Sequence, residues 1–148
     1  MTIRAAVRED VPAILSLIRE LATYERSPSS VVATEPLLES ALFGESPAVF
    51  CHVAVVDGEV VGFALWFLNF STWLGRHGLY LEDLFVRPSH RGQGLGKALL
   101  ETLIGLARER GYGRVEWVVL DWNTPAQDFY RSLGAEPMDG WTVWRVVP

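Results

Sequence analysis

Arg91-Gly92-Gln93-Gly94-Leu95-Gly96 sets a permanent cation and three glycines directly ahead of a long apolar-periodic stretch. A loop that runs into a helix presents unpaired backbone N–H groups at the positive end of the helix dipole. Glycines there let a phosphate come close to the backbone. A pyrophosphate suits this loop, and an ordinary glycine-rich turn is the plainer alternative. Two nucleotide motifs fail on spacing. A Walker A loop ending on Lys97 needs glycine at Arg91 and Ser or Thr at Ala98. A dinucleotide fingerprint begun at Gly92 meets Lys97 where a small residue is required, and one begun at Gly94 meets Leu99.

Just upstream, Glu82 and Asp83 interrupt an otherwise apolar stretch, Leu79 to Val86. Strand alternation predicts one of them on each face. A buried carboxylate needs a partner: a cationic amine ligand would serve, and so would an arginine such as Arg87 or Arg114. Downstream, Phe129 and Tyr130 read either as core aromatics of a short helix or as a ring pair with one useful hydroxyl. His52, His77 and His90 are too scattered to form a metal site, and no Ser-His-Asp order with a nucleophile elbow is present. The single Cys51 lies in the apolar run AVFCHVAVV and reads as a buried, inert thiol.

The elements that must position these residues follow from periodicity. Thr2 to Val7 alternates as an opening strand. Asp10 is placed to cap a helix with Pro12 in its first turn and an apolar stripe of Ile14, Leu15, Ile18, Leu21 and Ala22, ending near Tyr24. Thr34-Glu35-Pro36 opens a second helix that stops at Gly44. Two β-prone stretches, Ala48 to Val56 and Val60 to Phe70, flank Asp57-Gly58, a pair suited to a tight hairpin. Leu79 to Val86 is a strand, Leu95 to Glu109 a helix ended by Gly111, Arg114 to Leu120 a strand, Pro125 to Leu133 a helix stopped by Gly134, and Trp141 to Val147 a final strand. The order β-α-α-β-β-β-α-β-α-β predicts a mixed sheet with helices on its faces.

With 148 residues the chain has the size of one domain, 1–148, and no repeat or linker divides it. Its apolar fraction of 49% and charged fraction of 21% are those of a globular protein. A net charge of -5 argues against a nucleic-acid partner, which requires a basic face. No apolar run reaches the ~18 residues that span a bilayer, and the charged N-terminus does not read as a signal peptide, so a cytoplasmic protein is expected.

The loop resembles the R/Q-x-x-G-x-G/A signature of the GNAT superfamily of N-acetyltransferases, with Arg91, Gly94 and Gly96 in the fixed places. Tyr80-Leu81-Glu82-Asp83-Leu84-Phe85-Val86, Asp121-Trp122-Asn123-Thr124-Pro125-Ala126, Phe129-Tyr130 and the N-terminal Glu20-Leu21-Ala22-Thr23-Tyr24-Glu25 are similar to the diamine (spermidine/spermine-like) branch. The resemblance implies an α/β (α+β) fold with a mostly antiparallel central sheet, and transfer of an acetyl group from acetyl-CoA to a primary amine of a polyamine or lysine-like amino acid, with no metal. Acetylation of a protein lysine or N-terminus, and a non-catalytic acetyl-CoA-binding module, are the competing readings.

On this resemblance the backbone of Leu84, Phe85 and Val86 pairs with the pantetheine arm, as a strand edge pairs with an extended ligand. Arg91, Gly92, Gln93, Gly94, Leu95 and Gly96 hold the pyrophosphate, and Asn123, Ala126, Gln127, Asp128 and Phe129 lie near the cofactor. Asn123 or Thr124 as N-cap and Pro125 in the first turn are explained equally well by capping alone. Glu82 is implied as general base, through water, because a protonated amine cannot attack. Tyr130 is implied as general acid, since a phenol of pKa ~10 can protonate a leaving thiolate. Tyr24, Glu25, Glu82, Asp121, Trp122 and Asp139 are implied to contact the amine through charge and aromatic faces. Asp139 is shorter than the expected glutamate, and Ser132 replaces a basic residue near the cofactor. A homodimer is also implied, with Trp141-Thr142-Val143-Trp144 as its interface.

Overall fold

The structure, a computed structural model, describes residues 1–148 as two compact units, Met1–Trp117 and Val118–Pro148. The first unit is a sheet with helices on both faces. In chain order its elements are β1 (Thr2–Ala5), α1 (Val11–Tyr24), α2 (Glu35–Phe43), β2 (Phe50–Val56), β3 (Glu59–Ser71), β4 (Arg76–Val86), α3 (Leu95–Arg110) and β5 (Val115–Glu116). The strands lie in sequence order, antiparallel from β1 to β4, with β5 parallel to β4. This is the mixed, mostly antiparallel sheet expected from the sequence.

Asp57 and Gly58 both take positive φ, 51° and 77°, and close the β2–β3 hairpin with Val56 opposite Glu59. A turn with two such residues matches the right-handed twist of the strands it joins. The apolar stripe of α1 buries Ile14, Leu17 and Leu21 against Val53, Phe63, Leu65 and Phe85 of the sheet. Leu95, Leu99, Leu100, Leu103 and Ala107 are the buried positions of α3, which packs on β3 and β4. Each such large side chain removed from water contributes about 1.5–3 kcal/mol, so the sheet is clamped along most of its length.

Asp10 precedes α1 but does not cap it. Its carboxylate accepts from both terminal nitrogens of Arg4, at 2.7 and 3.1 Å, and from the Val7 N–H at 2.8 Å. The Arg4 hydrogen bond is the main cause holding its carboxyl below the usual range. A bidentate charged pair outcompetes a helix cap because it satisfies more of the carboxylate.

Two expected strands are corrected. The Arg114 to Leu120 strand pairs only at Val115 and Glu116, because β4 carries a bulge that parts it from β5. The expected final strand, Trp141 to Val147, does not form: those residues are exposed and in no ladder. Tryptophan and valine favour strands only where a neighbouring strand meets their backbone groups, and residues 141–147 pair with none. The second unit therefore consists of α4 (Thr124–Ser132) between irregular segments. Asn123 caps α4 by accepting from the Ala126 N–H at 3.3 Å.

Candidate active site

The glycine loop lies between β4 and α3. Gly92 and Gly94 each sit at φ +79°, a left-handed conformation that only glycine adopts at little cost. A Cβ built at either would meet no atom within 4 Å, so the backbone angle is what requires glycine here. The Arg91 N–H donates to the Pro88 carbonyl, and the first helical bond runs from the Ala98 N–H to the Gly94 carbonyl at 2.9 Å. Between them the N–H groups of Gly92 to Lys97 meet no backbone acceptor, and they stand at the positive end of a sixteen-residue helix. Arg91 ties the loop to the sheet: its Nε donates to the Val86 carbonyl at 3.0 Å, and its guanidinium lies over the Tyr24 and Phe85 rings.

The strand leading into the loop has an open edge. β4 pairs with β3 along its whole length, but with β5 only at Leu79 and Tyr80. From Leu81 to Val86 the outer edge has no strand beside it, which leaves the Leu84–Val86 backbone available to an extended ligand.

The divergence coincides with a bulge. Leu65 faces Asp83 and Trp66 faces Leu81, so Glu82 is the extra residue. Strict alternation, which would separate Glu82 from Asp83, therefore fails here. Tyr80, opposite Phe67, and Asp83, opposite Leu65, lie on the α1 face, and Glu82, two residues after Tyr80, follows it there. Glu82 is exposed and Asp83 half-buried. Burial, then the charges of Glu82 and Glu25, push the Asp83 carboxyl up to about 6. Burial also raises that of Glu25, the residue after α1. No arginine answers these acids. Arg87 pairs with Glu20 at 3.1 Å and Glu59 at 2.9 Å, and Arg114 with Glu116 at 2.9 Å. The salt-bridge alternative for Glu82 is thereby removed.

The second unit carries the remaining expected residues. Asp121 and Trp122 are exposed ahead of α4, and Asp139 is exposed beyond it. Gln127 braces the approach to the helix, its Nε2 donating to the Leu120 and Asp121 carbonyls at 3.1 and 3.0 Å. Asp128 is exposed and pairs with Arg131 at 3.5 Å, while Ala126 is half-buried. Phe129 and Tyr130 are half-buried with ring centroids 5.5 Å apart, so neither is a deep core residue.

The profile of the acetyltransferase (GNAT) family matches residues 12–135. The chain is 40% identical to a thialysine N-epsilon-acetyltransferase of Bos taurus, covering 97% of this chain and 90% of that protein. It is 32% identical to an L-ornithine N5-acetyltransferase of Arabidopsis thaliana, over 97% of this chain and 83% of that one. Among solved structures, an integron cassette protein of V. cholerae superposes with a TM-score of 0.82 at 27% identity, covering 99% of this chain and 92% of the other. The chain belongs to the GNAT acetyltransferase family. It is an N-acetyltransferase, and its family uses acetyl-CoA.

The residues of this acetyltransferase fit that cofactor. The run of unanswered N–H groups from Gly92 to Lys97 suits a pyrophosphate, and the open edge of β4 suits an amide-bearing arm. Asp83 is the residue that sequence reasoning left out of the site. Its only signal was its place beside Glu82 in an apolar strand; its burial depends on the bulge and on the end of α1. Cys51, by contrast, is buried as expected, its thiol pushed up to about 12 by burial first.

Proposed function

We propose that the enzyme acetylates a primary amine of a small cationic molecule, a polyamine or a lysine-like amino acid, by direct attack on acetyl-CoA. The observation that carries this reading is the group of Glu25, Glu82 and Asp83 on the α1 face of β4, where no arginine or lysine neutralises them. Unpaired acids beside an open strand edge attract a cation, and an ammonium both satisfies them and brings the nucleophile.

Acetyl-CoA supplies an acetyl group activated as a thioester. The Leu84–Val86 edge and the Arg91–Gly96 loop would bind and orient it, with Asn123, Ala126, Gln127, Asp128 and Phe129 as further contacts, and an N–H of the β4 edge would polarise the thioester carbonyl. Asp83 pairs with the incoming ammonium, and Glu82 removes its proton through water so that the nitrogen lone pair is free. The nitrogen would form its bond to the acetyl carbon as the C–S bond breaks. Tyr130 Oη would give a proton to the departing sulfur, and the proton shed by the new amide nitrogen would return through water to the phenol. Tyr24, Glu25, Asp121, Trp122 and Asp139 hold the rest of the amine. The scheme uses no metal.

The chain acts as one N-acetyltransferase domain and as a homodimer in the same reading. Trp141, Val143 and Trp144 are 73%, 75% and 89% exposed, an apolar segment whose open backbone suits pairing with a second copy. Sedimentation at micromolar concentration tests it, and a monomer would refute it. A cytoplasmic location belongs to the same proposal.

A panel of polyamines, diamines and basic amino acids, assayed by thiol release from acetyl-CoA, tests the activity. Turnover of at least one small amine above the rate with a lysine-containing peptide is the expected result. Activity on the peptide alone would replace this reading with protein acetylation.

A further inference from the structure

On the α1 face of the sheet, past Tyr80, stands a pair of opposite charges that the reaction scheme does not use. Glu116 of β5 lies beside Tyr80 of β4, and Arg114 precedes it by two residues, so both side chains share the face that carries Glu82 and Asp83. Gly78 makes room for them. A Cβ there would come within 3.2 Å of Arg114 Cγ and 2.4 Å of Asn69 Oδ1. Asn69 Nδ2 donates to Glu116 Oε1 at 3.4 Å, and Arg114 Nε lies 2.9 Å from the same oxygen. Both charged side chains still reach solvent, at 39% and 33% exposure. The guanidinium makes no other ion pair, and the second Glu116 oxygen has no protein donor.

Opposite charges held side by side match the head group of an α-amino acid, whose carboxylate and ammonium sit on one carbon. A guanidinium is the side chain best shaped for a carboxylate. The spacing also fits. Glu116 is in register with Tyr80, opposite Phe67, and Asp83, opposite Leu65, lies two β3 residues further along, roughly 7 Å, with the bulged Glu82 just before it. That is the reach of an extended lysine-like side chain. Tyr80 lies between the two acids, and its hydroxyl is raised by burial and then by the charges of both Glu82 and Glu116.

We propose that Arg114 and Glu116 form a head-group subsite for an α-amino acid whose side-chain amine reaches Glu82 and Asp83. Arg114 takes the α-carboxylate and Glu116 the α-ammonium. A diamine of equal length keeps the Glu116 contact through its second ammonium but offers no carboxylate to Arg114, so the pair selects amino acids over polyamines through Arg114. This assignment rests on the reading of the enzyme as a small-amine acetyltransferase.

L-lysine and cadaverine, which differ only in the α-carboxylate, separate the two claims. The kcat/KM ratio of lysine to cadaverine should exceed one in the wild type and fall roughly 10- to 100-fold in Arg114→Gln, chiefly through KM for lysine. Arg114→Lys should retain part of the preference, and Glu116→Gln should lower it less. An equal loss on both amines in Arg114→Gln, or no loss on either, overturns the subsite. Melting curves check that each variant folds, and if Arg114→Gln does not, the lysine and glutamine variants carry the same ratio test. Calorimetry with each amine gives a second readout. If the wild type acetylates neither amine, the amine-acetyltransferase reading falls, while the subsite is still decided: lysine binding weakened selectively by Arg114→Gln supports it, and absent or unselective binding overturns it.

Discussion

The guanidinium of Arg91 lies 5.1 Å from the centroid of the Tyr24 ring. This contact joins the glycine loop to the end of α1, so the proposed cofactor and amine regions share one residue. The Nε bond to Val86 fixes the guanidinium at the end of β4 as well. Arg91→Ala should therefore raise the acetyl-CoA dissociation constant about tenfold or more and cost about 1 kcal/mol of stability. Arg91→Lys should recover charge but not the fork that donates to Val86. Calorimetry and denaturant unfolding of both variants check this.

Gly94 and Gly105 make a matched test of the loop. Gly94→Val puts a β-branched residue at φ +79°, which costs about 1–3 kcal/mol and rearranges the N–H groups aimed at the pyrophosphate. Acetyl-CoA binding should weaken strongly. Gly105 lies inside α3 with no atom within 4 Å of an added Cβ. Gly105→Ala should stabilise by roughly 0.5–1 kcal/mol and leave cofactor affinity as it was. Unchanged binding in Gly94→Val would refute the loop assignment.

Much of this arrangement was legible in the sequence where local chemistry decides it. Asp57-Gly58 closes its hairpin by backbone preference alone, and the loop glycines carry their left-handed angles with them. Three features depended on distant partners and were not legible. Asp10 reads as a helix cap until Arg4 takes both its oxygens. Glu82 and Asp83 alternate until the β3 register makes Glu82 the extra residue of a bulge. Trp141 to Val147 has strand composition, but a strand exists only with a neighbour.

Asp83 gives a pH dependence of known sign. Its folded value of about 6 lies above the ordinary carboxylate value of about 3.9, so the folded protein holds this proton more tightly than the unfolded chain does. Its stabilising contribution is complete below pH ~4 and is lost as pH rises through 6. Asp83→Asn should be more stable than wild type above pH 7 by something of the order of 1–3 kcal/mol, with the gap closing toward pH 4. Melting temperatures across that range measure it. A gap independent of pH would mean that Asp83 does not titrate as described.

Glu82→Gln tests the base. A primary amine holds its proton until about pH 10, so a base matters most well below that value. The variant should lose kcat/KM chiefly at neutral and lower pH and approach wild type as the amine deprotonates unaided. A pH profile of unchanged height and shape would make Glu82 a substrate contact at most.

Tyr130→Phe removes one hydroxyl and keeps the ring that lies 5.5 Å from Phe129, so packing within α4 should survive. Proton delivery to the departing sulfur should not. General acid catalysis contributes roughly 10²–10⁴-fold, and kcat should fall by about that factor while acetyl-CoA affinity stays close to wild type. Stability separates the rival role. A structural hydrogen bond from the hydroxyl would appear as a loss of about 1 kcal/mol or more in unfolding, with kcat falling only as the folded fraction falls. Full activity with full stability would mean that water or the amine protonates the thiolate, because the thiol is the stronger acid of the two and leaves with little help at alkaline pH. A kcat deficit that deepens toward neutral pH is the signature of the acid role, since there the unprotonated leaving group gains most from a nearby phenol.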